Sequence, residues 1–213
     1  VTIFLDAETT LSLSDYDGLV TCIGSWLNRS DLQDQIPDFI KLAEARFRRV
    51  IVMPQMEVQV SFGDAVSTAL PADFDSLRGL AIPGFEPMKQ ITLADYNRLI
   101  PELMGTPDRF TIVAGAIKTW PIADDVYSAT LTYRANIPPL GPDQETNWLL
   151  TKHPDIYLFG SLAQAEFYGW NDDRLTLIKA ALDESLDELQ MAGNRLRYGS
   201  GPLVMRSDVR ERC

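Results

Sequence analysis

The most constraining feature of this chain is the stretch from residue 31 to residue 58, DLQDQIPDFIKLAEARFRRVIVMPQMEV. Its apolar residues Ile36, Phe39, Ile40, Ala43, Phe47, Val50 and Ile51 recur every three or four positions, which gathers them on one face of a helix. Asp34 and Pro37 mark the start, because a carboxylate can cap free N–H groups and proline fits the first turn. Arg46, Arg48 and Arg49 crowd the other end, where cations meet the negative pole of the helix. Pro54 then prevents continuation.

Further helices are written at both ends of the chain. Upstream, Ser14 and Asp17 have the spacing of a capping box, and Tyr16, Leu19, Ile23, Trp26 and Leu27 form an apolar stripe. Towards the other end, Pro154 and Asp155 open a helix that turns Ile156, Phe159, Leu162, Ala163 and Phe167 inward. Its Gly160, Ala163, Ala165 and Gly169 are small enough to let a neighbouring helix approach closely. Asn171 or Asp172 caps the longest helix, with the stripe Leu175, Ile178, Leu182, Ser185, Leu189, Ala192 and Leu196.

Between residues 56 and 135 the period changes to short β-type runs separated by Gly, Pro and Asp. Strands are expected at 58–62, at 77–82 and, weakly, at 90–93, followed by a helix over 94–104. Residues 110–113 and 117–120 read as a hairpin turning at Ala114 and Gly115. Residues 126–133, rich in β-branched and aromatic side chains, are expected to complete an antiparallel meander. Pro121 places its strand end at an edge or an exit. The predicted fold class is α+β. Helices from 1–55 and 147–198 form one bundle, residues 56–146 an inserted antiparallel β-rich domain, and residues 199–213 an extended tail.

Composition narrows the function. An apolar fraction of 46% suits a globular chain with a real core. No apolar run approaches the ~18 residues that cross a bilayer, and the acidic start VTIFLDAETT argues against a secretory signal. Cys22 and Cys213 make no disulfide framework, so synthesis inside a cell is expected. The formal charge is −11. With no basic cluster beyond Arg46, Arg48 and Arg49, such a chain repels phosphate, which excludes nucleic-acid recognition as its main task.

Catalytic chemistry is poorly provided for. His153 is the sole histidine and directly precedes Pro154, which places it at a helix N-terminus. No nucleophile motif, metal-ligand spacing or phosphate loop is present, so no enzyme, cofactor or metal is expected. Asp124-Asp125 and Asp172-Asp173 are acid pairs at turn or cap positions. An acidic cell-wall hydrolase would need two carboxylates roughly 5 to 9.5 Å apart across a cleft, which sequence leaves open. A carbohydrate- or protein-binding β module is the other alternative, resting on Trp120, Tyr127 and Tyr133, although alternating aromatics more often fill a core.

The order of these pieces resembles the head–tail adaptor (connector) proteins of tailed bacteriophages. The short helix and tight loop are followed by the "IPDFIKLAEARF-R" helix and a β-rich segment opening "M-E-V". Leu70-Pro71-Ala72-Asp73-Phe74 resembles that family's "LPADF" turn, and residues 105–110, GTPDRF, its strand entry. Residues 157–165, YLFGSLAQA, resemble its small-residue helix. The resemblance spans residues 14–198. It implies a structural virion protein, made in the host cytoplasm, that sits at the head–tail connector. Such a protein joins the portal protein to a downstream tail or nozzle protein and continues the DNA ejection channel as a homo-oligomeric ring, a dodecamer. Genomic DNA would pass without sequence-specific binding, and an acidic wall would let it slide.

Two sets of residues are candidates for contacts. On the longest helix, Asp183, Glu184, Asp187 and Glu188 form two like-charge pairs at i,i+4. They are either a solvated acidic face or one that meets Arg46, Arg48 and Arg49 of another copy; those arginines can equally serve the helix dipole and a neighbouring carboxylate. Residues 199–213 form the one net-positive segment and carry an LVM cluster, the mark of a segment that orders on a partner. The resemblance assigns Leu203, Val204, Met205, Arg206 and Arg210 to the portal.

Overall fold

The computed structural model describes residues 13–62, 67–169 and 172–198. In chain order these hold helices α1 (Tyr16–Leu27) and α2 (Ile36–Val50), then strands β1 (Glu57–Phe62), β2 (Ser67–Ala69), β3 (Phe74–Ala81) and β4 (Lys89–Gln90). The one-turn helix α3 (Leu93–Tyr96), β5 (Arg109–Val113), β6 (Ala116–Trp120) and β7 (Ala129–Ala135) follow, and α4 (Trp148–Lys152), α5 (Pro154–Tyr168) and α6 (Asp172–Tyr198) close the series. Residues up to Pro54 join those from Pro138 onward in one compact unit, and Gln55–Ile137 form a second. The fold is α+β.

The helical unit is built from the stripes that the sequence spells out. Leu19, Ile23 and Leu27 of α1, Ile36, Phe39, Ile40, Ala43 and Phe47 of α2, and Leu182 and Leu189 of α6 are buried. Each large aliphatic or aromatic side chain so removed from water contributes about 1.5–3 kcal/mol before ordering costs. Close approach of α5 to α2 depends on Gly160: a Cβ there would lie 2.5 Å from Phe47 Cζ. The Phe47 ring meets Tyr157 edge-on at 5.3 Å.

Several local expectations shift. The cap of α1 is Asp15, whose Oδ1 accepts from Gly18 N at 2.7 Å, rather than Ser14, which donates to Asp15. Helix α2 has no side-chain cap from Asp34; a 3-10 turn over Ser30–Gln35 feeds straight into it, so preceding carbonyls take up its first N–H groups. On α6, Leu186 is buried, while Leu196 is 65% exposed. Phe167 of α5 is likewise 68% exposed. The cap of α6 at residues 171–172 lies outside the described side chains.

In the second unit, β1, β7 and β3 form an antiparallel sheet with β7 central, and β2, β6, β5 and β4 form another in which β4 pairs parallel to β5. Leu80, Ile82, Met88, Phe110, Ile117, Leu131 and Tyr133 make its core. The hairpin of β5 and β6 turns at Ala114 (φ 50°) and Gly115 (φ 75°) as expected. The meander does not form. Pro121 cannot donate to a ladder, Ile122 bridges to Met104, and β7 enters the other sheet. The helix expected over 94–104 is a single turn, Leu93–Tyr96, and Pro101 disfavours any extension past Ile100. Strand β2 was not foreseen, and the strand expected at 90–93 shrinks to Lys89–Gln90.

Candidate functional site

The residues singled out for chemistry are occupied with structure. Among the described residues no group of three or more His, Cys, Asp or Glu is placed to hold a metal ion, and no helix is long and apolar enough to cross a membrane. His153 is the residue between α4 and α5, where its backbone N–H donates to Leu149 O at 2.8 Å and its side chain makes no cap. Asp124 accepts from Tyr127 OH at 2.7 Å and Asp125 from Val126 N at 2.7 Å, both local turn bonds. Tyr133 is buried against Phe74, so it cannot present itself to a sugar. Trp120 lies under the Arg109 guanidinium at 5.1 Å and donates to Ile100 O at 2.9 Å. Burial pushes the Cys22 thiol pKa up, which disfavours its reactive thiolate.

The charged candidates divide. Arg46 reaches Asp183 of its own chain at 2.7 Å, so these two residues, expected at a contact between copies, are paired within one chain. A second bond links α2 and α6, with Gln190 Nε2 donating to Val50 O at 2.9 Å. Arg48 and Arg49 are exposed, as are Glu184, Asp187 and Glu188. The candidates Leu203, Val204, Met205, Arg206 and Arg210 lie outside the described residues.

A buried polar network went unforeseen. Glu44 of α2 is 6% exposed, and its Oε1 accepts from Leu140 N at 2.7 Å and Tyr157 OH at 3.1 Å. Asn147 Nδ2 donates to Tyr157 OH and to Pro138 O, each at 2.7 Å, while its Oδ1 caps α4 by accepting from Leu150 N at 2.8 Å. The network thereby fastens the returning connector at residues 138–147 to α2 and α5. Burial pushes the Glu44 carboxyl pKa up, against the pull of the Leu140 N–H, the Tyr157 hydroxyl and Arg48. Burial, followed by the neighbouring Glu44 charge, raises the Tyr157 hydroxyl far above the ordinary phenol value. One signal was in the sequence: Glu44 stands four residues after Ile40, within the apolar face.

A second tie joins α1, α5 and α6. Arg174 Nη1 lies 3.0 Å from Oε1 of the buried Glu166, a charge contact off the hydrogen-bond direction, and Nη2 donates to Trp26 O at 2.8 Å. The short motifs are structural in the same sense. In LPADF, Phe74 N donates to Pro71 O at 3.0 Å and opens β3, while Asp73 just before it accepts the Tyr133 hydroxyl at 2.9 Å. In GTPDRF, Thr106 shares a 3.0 Å hydrogen bond with Tyr127 and Arg109 opens β5.

Fold and surface together define an α+β protein with a helical unit of N- and C-terminal segments, a β-rich unit inserted between them, and strongly acidic exposed faces. Its sequence matches the family model described as SU10 adaptor protein over residues 14–206. The chain belongs to that family of phage head–tail adaptors. No curated protein matches it.

Proposed function

We propose that this chain forms a homo-oligomeric ring that joins a phage portal to the tail and continues the DNA channel. The carrying observation is the family match across residues 14–206, which takes in both compact units. The charge of −11 supports the channel part, because a wall that repels phosphate gives DNA no foothold. It also favours assembly on a template, since copies of like charge repel until something holds them. Exposed Arg48 and Arg49, and exposed Glu184, Asp187 and Glu188, lie at contacts between copies in this reading.

Portal attachment is assigned to the chain beyond α6. Leu203, Val204 and Met205 supply apolar side chains, and Arg206 and Arg210 supply cations for portal carboxylates. Burying three such side chains contributes on the order of 4–9 kcal/mol before ordering costs. Deleting residues 200–213 should leave thermal melting nearly unchanged and abolish co-purification with the portal from the same genome. A truncated chain that binds that portal with unchanged affinity would move the docking role to the helices. Full-length protein that binds no such portal would sink the adaptor function.

A further inference from the structure

The β-rich unit exposes several large apolar side chains. Phe85, Ile100, Leu103, Met104 and Val126 are exposed, from 41% at Leu103 to 75% at Val126. Hydrogen bonds and a ring contact tie the segments that carry them together. Trp120 Nε1 donates to Ile100 O at 2.9 Å, and Ile122 N donates to Leu103 O at 2.9 Å while bridging to Met104. Tyr127 hydrogen-bonds to Thr106 at 3.0 Å, and its ring meets the edge of Phe85 at 6.1 Å, with Val126 next in the chain. Exposed carboxylates adjoin these residues in the chain: Glu86 follows Phe85, Glu102 precedes Leu103, and Asp124 and Asp125 precede Val126, while the nearby Arg98 and Arg109 are paired with Asp95 and Asp108. An apolar centre inside a charged rim is the anatomy of a protein contact, and contiguous patches of this kind mark interaction sites.

The same chain carries the complement. The last turns of α6 expose Met191 and Leu196, and the final turn holds Arg195 and Arg197. Leu196 continues the stripe of Leu182 and Leu189 and is 65% exposed. Just before, a Cβ on Gly193 would lie 2.5 Å from Met53 Sδ, which marks the end of the packed stretch.

We infer that the acid-framed surface of the β-rich unit receives the arginine-bearing end of α6 from a neighbouring copy. Charge selects this occupant. A like-to-like contact would set Glu86, Glu102, Asp124 and Asp125 against themselves, whereas Arg195 meets them with opposite sign. Because the two surfaces differ, the contact is heterologous: each copy gives one and takes one, and repetition closes a ring or runs on as a filament. The inference rests on the ring reading and says which surfaces meet.

Two double variants of the full chain test it. Met104→Asp with Val126→Asp removes the receiving surface, and Met191→Asp with Leu196→Asp removes the entering one; all four positions are exposed, so folding is spared. Sedimentation velocity at high micromolar concentration and physiological salt, where repulsion between copies of like net charge is screened, should show the unaltered protein associating, and either variant alone weaker by about tenfold or more. Mixed, the two variants should form a heterodimer and nothing larger, since one intact contact remains between them. A mixture that stays monomeric, a variant that associates like the unaltered protein, or an unaltered protein that never associates would each overturn the assignment. Portal co-purification is measured separately with the unaltered protein: its failure, with the heterodimer nonetheless formed from the two variants, removes the adaptor function and leaves the surfaces standing.

Discussion

Replacing Glu44 separates what its shape does from what its charge does. Glu44→Ala removes the acceptor for Leu140 N–H and the Tyr157 hydroxyl, both of which are buried. Each stranded donor costs about 1–3 kcal/mol, and breaking a buried charged cluster from one side costs about 3–5 kcal/mol, so chemical denaturation should show a loss of that size. Glu44→Gln keeps an oxygen where Oε1 stands and removes the buried charge. Weaker neutral hydrogen bonds then offset relief from desolvation, and stability near neutral pH should stay within about 1 kcal/mol of the unaltered chain. The pH dependence follows from burial, which raises the Glu44 pKa in the folded state. The folded form then binds the proton more tightly than the unfolded form, so the Glu44 contribution is fully present below the unfolded carboxyl pKa and is lost as pH rises through the folded one. Subtracting the Glu44→Gln curve cancels the other carboxylates, and the difference should move in favour of the unaltered protein on acidification. A difference that is flat, or of opposite sign, refutes the burial argument; Glu44→Gln as damaging as Glu44→Ala refutes the acceptor argument.

Two further predictions test the helical unit. Gly160→Ala should destabilise even though alanine is the better helix former by about 1 kcal/mol, because the new methyl meets Phe47 Cζ at 2.5 Å. Overpacking of this kind costs about 1–3 kcal/mol, and pairing the change with Phe47→Leu should recover part of it in a double-mutant cycle. Asp15→Ala should cost about 0.5–2 kcal/mol by urea denaturation through loss of the bond to Gly18 N; Asp17→Ala should cost less, a ranking that reverses if the capping box at Ser14 governs the helix.

Much of the fold was legible because it is periodic and local. Ile36, Phe39, Ile40, Ala43 and Phe47 had to share a face, and all are buried. Ala114 and Gly115 announced a turn requiring positive φ, and that turn is there. Capping was legible only to within a residue, since Ser14 and Asp15 are both competent caps and nothing nearby in the sequence chooses between them. Sheet membership was not legible for β7. Its residue types fit any pleated surface, and the choice between pairing with β6 and entering between β1 and β3 is made by contacts from far along the chain. For the same reason Glu44 and Leu140, 96 positions apart, could not be linked in advance.

Charge was the least legible property at the level of pairs. Arg46, Arg48 and Arg49 look like one cluster in the sequence, yet a helix turns successive residues about 100° apart, so they face different surroundings. Arg46 faces α6 and binds Asp183, while Arg48 acts on the buried Glu44 and Tyr157. This division bears on how copies would associate. Exposed ion pairs contribute only about 0–1 kcal/mol each and are screened by salt, so a charged rim selects partners and orients them without holding them. Holding requires apolar area, and the chain exposes it at Met104 and Val126 on one unit and at Met191 and Leu196 on the other. An assembly built from these surfaces would take its specificity from the carboxylates and arginines and its affinity from the side chains they surround.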